Sequence, residues 1–394
     1  MKIKTSSLLA IASFFLVFFE ITYIPYQYVR YALIVLIAGL LLIDNFKLSY
    51  LGKNAPVFLS TLVFAVAVVF VSFLAKDLVS RRNPFLSSIV FAAMLLELLL
   101  VIFRFSAKGE MKQFITIYFK LSFLAAIAVD FFAIFFSEWA RATAGNYLNG
   151  TKFWVIYLHC AMIAFYSYLV HEKEKDSGKE YKNGKTILFA FFVWSLIMSI
   201  IVDCNTGMIA LALLAIFLYS CKKKLSSYTK PFVFGITLGL SFLFMWVAAF
   251  VLSIPAIQSI IENVFNTSAT LTGRLNIYLG MPDVMESHWW LGFGYGSCYE
   301  ITRETVGYST TQNGLMNWLL ETGIVGTCGL LLLIFTLVRK NHKKICPSQF
   351  PFYALAYVFL VLGTIETTFT LWLFGMLFIS YGLSQEKTEA PSLK

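Results

Sequence analysis

Apolar runs of about twenty residues recur along nearly the whole chain, and they leave few folds open. A helix rises about 1.5 Å per residue, so about 20 apolar residues cross the roughly 30 Å hydrocarbon core of a bilayer. Runs of this kind cover approximately residues 6–24, 28–45, 56–75, 85–104, 114–136, 152–170, 186–202, 206–221, 231–252, 313–338, 350–366 and 368–384. In lipid, a segment must pair its own backbone N–H and C=O groups, which leaves helices as the solution for such runs. The predicted fold is therefore all-α: a polytopic membrane helix bundle of about twelve transmembrane helices. Polar clusters at Asp203–Thr206 and Glu366–Thr368 interrupt two long apolar stretches and read as tight turns. One large loop, 253–312, precedes the tenth span. The expected organisation is spans one to nine in 1–252, the loop, spans ten to twelve in 313–384, and a tail at 385–394.

Charge gives the direction. Only 13% of the residues are charged, against about 25% in soluble domains. The net charge of +10 does not point to nucleic acid, because the basic residues cluster in short loops between apolar runs, where they orient a membrane protein. With the N-terminus inside, the inner segments hold 22 Lys and Arg and the outer segments 8, with Lys120 in a span. Both termini are then cytoplasmic and the 253–312 loop is extracytoplasmic. The stretch KDLVSRRNP, with Lys76, Arg81 and Arg82 on the outer side, fits this rule badly. Lys2 and Lys4 precede an apolar run with no small-residue cleavage site, so the run reads as a retained first helix. Six cysteines are scattered singly, without paired or metal-ligand spacing.

A loop of this length with aromatics, glycines and both signs of charge is expected to fold and to carry function. In SATLTGRLNIYLGM, Leu271, Leu275, Tyr278 and Leu279 recur at about helical spacing, which predicts an amphipathic helix at the membrane surface with Arg274 near its start. Arg274 offers a planar fork of donors suited to phosphate. It could equally contact lipid headgroups. In ESHWWLGFGYGS, Trp289 and Trp290 suit either a membrane interface or the face of a sugar ring. Gly292, Gly294 and Gly296 alternate, which allows a close backbone approach or a tight turn. His288 is the one outer histidine, flanked by Asp283 and Glu286, and is a candidate general base.

The stretch TTQNGLMNWLLETGIVG opens the tenth span. Asn313, Asn317 and Glu321 are spaced by four, which places them on one helix face, with Gln312 above them. Polar groups in a span face a bundle interior or a wet cavity, or bond neighbouring helices. Gly323, Gly326 and Gly329 then suggest close packing.

Taken together, these motifs resemble the superfamily of Wzy-type polysaccharide polymerases and O-antigen ligases. The resemblance rests on residues 268–330: Gly273–Arg274, then Gly292–Phe293–Gly294, then Gln312–Asn313 opening a span that runs from Leu315 to Glu321, Gly323 and Gly326. Gln312 stands where the superfamily often has histidine, and DCNTG (Asp203–Gly207) lacks the arginine often found at that turn. Both departures favour a polymerase. The resemblance implies transfer of glycan from undecaprenyl pyrophosphate to a hydroxyl of another lipid-linked unit, on the outer face of a bacterial cytoplasmic membrane. It implies no cofactor and no metal. Arg274 would bind pyrophosphate, Gln312, Asn313 and Asn317 would orient the acceptor, Glu321 would support them, and His288 or a nearby carboxylate would take the proton. Trp290, Gly292 and Gly294 would flank the substrate. Implied partners are lipid-linked glycans, membrane lipids, and a flippase and chain-length regulator of the same pathway. A ligase sharing the fold, and a transporter or flippase, are the alternatives. No internal repeat supports the latter.

Overall fold

In the computed structural model, residues 4–21, 23–136, 146–252, 254–255 and 274–386 are described. They form a polytopic membrane helix bundle. The helices are α1 (Thr5–Val17), α2 (Tyr26–Ile43), α3 (Ser49–Lys53), α4 (Ala55–Leu74), α5 (Pro84–Ala107), α6 (Met111–Phe135), α7 (Lys152–Ser177), α8 (Lys182–Ile201), α9 (Asn205–Tyr228), α10 (Pro231–Leu252), α11 (Arg274–Met285), α12 (Cys298–Thr305), α13 (Gly314–Lys343), α14 (Phe350–Leu362) and α15 (Leu371–Gln385). A two-residue hairpin, β1 (Asn146–Tyr147) with β2 (Gly150–Thr151), precedes α7. Each of the twelve apolar runs coincides with a helix. Among the described residues, seven helices are long and apolar enough to cross a membrane, and α1, α14, α15 and the Pro231–Phe244 part of α10 are shorter apolar stretches.

The centre of the bundle is α14 and α15. Nearly every residue of both is buried, as expected of helices that are apolar all round. Helices α2 and α8 are mostly unburied and present apolar side chains outward, as a lipid-facing layer does. The two ends of α5 carry different chemistry. At its C-terminal end Arg104 bonds Asp44 at 2.5 Å and pairs with Glu110, and Lys108 reaches Asp44 at 2.8 Å. At its N-terminal end, Asn83 caps the helix by accepting from the Leu86 N–H, directly after the Arg81–Arg82 pair.

The 30-residue α13 is not one continuous helix. Gly323 has φ 60° and ψ −166°, a region open in practice only to glycine. A regular helix bonds the N–H of residue i to the carbonyl of i−4, so the break orphans the N–H groups of Ile324 and Val325 and the carbonyls of Leu320 and Glu321. The segment 289–294 satisfies all four. The Ile324 and Val325 N–H groups donate to the carbonyls of Trp289 (2.8 Å) and Trp290 (3.2 Å). The Phe293 and Gly294 N–H groups donate to the carbonyls of Leu320 (2.9 Å) and Glu321 (2.7 Å). Buried backbone groups left without partners would each cost about 1–3 kcal/mol, so the loop strand is what permits a broken helix inside the bundle.

This contact leaves no room for side chains. A Cβ on Gly323 would lie 2.3 Å from the Trp290 carbonyl oxygen, and one on Gly292 would lie 2.6 Å from the Gly323 nitrogen. Farther along, Gly329 lets α13 approach Phe64 of α4. Of the three glycines expected to pack closely, Gly323 breaks the helix, Gly329 permits helix contact, and Gly326 lies against Thr322 of α13 itself. The helix expected after Arg274 is present as α11, and one face of it docks on the bundle. It buries Ile277, Tyr278, Met281 and Met285 against Phe293, Met316 and Leu320, while Leu279 is 57% exposed. The side chains of Leu271, Arg274 and Leu275, on which the surface-lying expectation rested, lie outside the described residues. Gly323→Ala is expected to lower the thermal unfolding midpoint of the purified protein by at least the equivalent of about 1–3 kcal/mol of backbone strain. Gly52→Ala, inside α3 with open space around it, should not lower the midpoint.

Candidate active site

The break in α13 opens onto a cavity of about 590 Å³. Glu321, the residue two before the glycine that breaks the helix, faces it and is only 5% exposed. The backbone N–H groups of Gly296 and Cys298 and the Asn317 side chain face its carboxylate. Asn317 lies one turn earlier and also lines the cavity. The segment that heals the helix therefore continues into the one that faces the carboxylate. Tyr295, between the two, donates its N–H to Ser72 at 2.9 Å and packs on Phe91 (4.7 Å) and Trp318 (5.6 Å).

The remaining wall comes from distant parts of the chain. Trp154, Trp372 and Phe369 supply aromatic surface, and the hairpin brings Asn149. Glu20, Arg30 and Arg82 supply charge. Arg30 pairs with Glu20. Two lining residues carry buried polar atoms without a partner among the described residues: Arg30 Nε and Asn149 Oδ1. A site with a buried carboxylate, amides, guanidinium groups and aromatic faces can hold a polyhydroxylated ring next to an anionic group.

The nominated residues fall into three groups. Asn317 and Glu321 share the cavity. Asn313 does not: it is fully buried and caps α13, accepting from the N–H groups of Leu315 (3.0 Å) and Met316 (2.9 Å). Its amide donates to the carbonyls of Ser241 (3.2 Å) and Thr364 (3.3 Å). The four-residue spacing is real, but the cap sits outside the helix and points elsewhere. Gln312 adopts φ 51°, with its carbonyl accepting from the Tyr278 hydroxyl at 3.2 Å. His288 stacks on Phe293 at 4.2 Å and bonds Ser287 at 2.9 Å. Neither Gln312 nor His288 lines the cavity. Trp290 is 69% exposed and enters through its carbonyl only. Gly292 and Gly294 serve the backbone approach, Gly294 lying against Pro84 as well. The Arg274 side chain lies outside the described residues.

Arg30, Arg82, Glu20 and Tyr295 were not singled out from the sequence. A signal existed for one of them: KDLVSRRNP was the segment that broke the charge rule.

Residues 190–331 match a family model described as O-antigen ligase. The matched segment contains the strand 289–294, Asn317, Glu321 and the helix break, and excludes Glu20, Arg30 and Arg82. With the helical bundle, the match supports a multi-pass membrane enzyme of the O-antigen ligase/polymerase superfamily that processes glycans. Among curated proteins, no significant match is found. Asn313→Ala is expected to destabilise the protein by about 0.5–2 kcal/mol through the lost cap alone, read as a lowered thermal midpoint. Asn317→Ala, on the open cavity wall, should move it far less.

Proposed function

We propose that the protein is a polymerase of lipid-linked oligosaccharide repeat units, working on the outer face of a bacterial cytoplasmic membrane with undecaprenyl pyrophosphate as the carrier. The observation that carries this reading is the buried Glu321 carboxylate, held at a helix break beside Asn317, at a cavity wide enough for sugar rings, within the family-matched segment. In the proposed reaction an acceptor hydroxyl attacks the anomeric carbon of the donor. The bond from that carbon to the pyrophosphate oxygen breaks, and the lipid pyrophosphate leaves with the electron pair. The hydroxyl proton goes to Glu321. Of the two carboxylates at the cavity, Glu20 is engaged by Arg30, which leaves Glu321 as the base within reach. Asn317 orients the acceptor, and the aromatic surface of Trp154 and Trp372 receives the rings. Arg274, at the start of α11, retains its proposed role on the leaving pyrophosphate.

The family description favours one second reading, a ligase that moves a finished glycan to another acceptor. A strain lacking the protein separates the two. A polymerase deletion accumulates single lipid-linked repeat units, whereas a ligase deletion accumulates long polymer on the carrier lipid. If long polymer reaches its final acceptor in the deletion strain, both readings fail. Glu321→Gln removes the base while keeping shape, and is expected to reduce polymer formation at least 100-fold, within the range that general base catalysis contributes, with the protein still inserted in the membrane. Wild-type polymer length and yield in that strain would remove Glu321 from the chemistry.

A further inference from the structure

A second cavity, of about 640 Å³, adjoins the first. It lies between the N-terminal ends of α2 and α5, and Arg30 and Arg82 line both. Arg81 lines the second alone. Three arginines thus line a space whose one lining carboxylate among the described residues is Glu20, already paired with Arg30. Arg30 keeps a buried Nε with no partner among the described residues. Among the described residues, neither Arg81 nor Arg82 forms an ion pair.

The loop that carries the two arginines is held from below. Glu300 of α12 accepts from the Ser80 N–H (2.7 Å), the Ser80 hydroxyl (2.8 Å) and the Arg81 N–H (2.8 Å). These bonds, that from the Ser80 N–H foremost, hold its carboxyl below the usual range, so it remains ionised at neutral pH. Its folded value is lower than its unfolded one. The clamp is therefore present above the ordinary carboxylate range and is lost only as pH falls through the depressed value. The carboxylate thus fixes the backbone of the loop and leaves the guanidinium heads to other partners. Arg81 and Arg303 both lie over the Tyr299 ring, each at 5.6 Å.

Like charges gathered in a half-enclosed space repel unless an anion joins them. A planar guanidinium donates two parallel bonds to phosphate, which a neutral sugar does not need. We propose that Arg30 and Arg82 form a subsite for the phosphate or diphosphate of a lipid-borne substrate, on the wall shared by the two cavities, with Glu300 as the positioning residue of the Ser80–Arg82 loop. The anion follows from the charges. The lipid rests on the proposed function, because the second cavity continues past the arginines along Ile24, Leu86 and Val90.

The test is binding, not turnover. Purified protein in nanodiscs is titrated with farnesyl diphosphate and, separately, with inorganic pyrophosphate. Farnesyl diphosphate is expected to bind at least tenfold more tightly than pyrophosphate. Arg82→Gln and Arg30→Gln are each expected to weaken it at least tenfold, and Arg82→Lys less. Glu300→Gln is expected to weaken it while the size-exclusion profile stays normal. Wild-type affinity in both arginine variants, with normal size-exclusion profiles, overturns the subsite. Equal affinity for pyrophosphate and farnesyl diphosphate overturns the lipid-borne source in favour of a free anion. Arginine-dependent binding in a protein that makes no polymer would sink the proposed function and leave the subsite standing.

Discussion

Four backbone hydrogen bonds between residues 289–294 and the interrupted α13 hold the site together. A helix that breaks inside a bundle loses two donors and two acceptors at the break. Here the two donors find the carbonyls of Trp289 and Trp290, and the two acceptors find the N–H groups of Phe293 and Gly294. Everything near the cavity depends on this exchange. It fixes the depth of Glu321, places the Gly296 and Cys298 N–H groups beside its carboxylate, and seats Tyr295 against Trp318. Two glycines make the exchange sterically possible, because their Cβ atoms would overlap the opposing backbone.

The same loop ties the site to a part of the chain two hundred residues earlier. Gly294 abuts Pro84, the Tyr295 N–H donates to Ser72, and Glu300 clamps Ser80 and Arg81. The turn between α4 and α5 is therefore held by the folded loop. Positive charge that looks misplaced by topology becomes intelligible as charge held for a ligand. Orientation rules describe loops whose only task is to stay on one side of a membrane. A loop that lines a cavity answers to another constraint.

Much of the fold was legible because length and hydropathy act locally. All twelve apolar runs coincide with helices, and the turns at Asp203–Thr206 and near Glu366–Thr368 separate α8 from α9 and α14 from α15. The site was legible in part. Glu321 and Asn317 were found by helical spacing, and they do share a wall. Asn313 was grouped with them by the same spacing, yet it is a cap whose amide bonds Ser241 and Thr364. Periodicity cannot tell a residue inside a helix from one just before it. Arg30 and Arg82 escaped because their neighbours in space are remote in sequence.

The sequence by itself determined that this chain is a helical membrane protein, where its helices run, and which loop is long enough to fold. Those properties follow from each segment's own balance of apolar surface and backbone pairing. Tertiary structure alone decided that α13 breaks at Gly323, that 289–294 completes it, and that Arg30 and Arg82 meet Glu321 around one space. Such facts depend on which distant backbone groups come within hydrogen-bonding distance, and no local pattern encodes that.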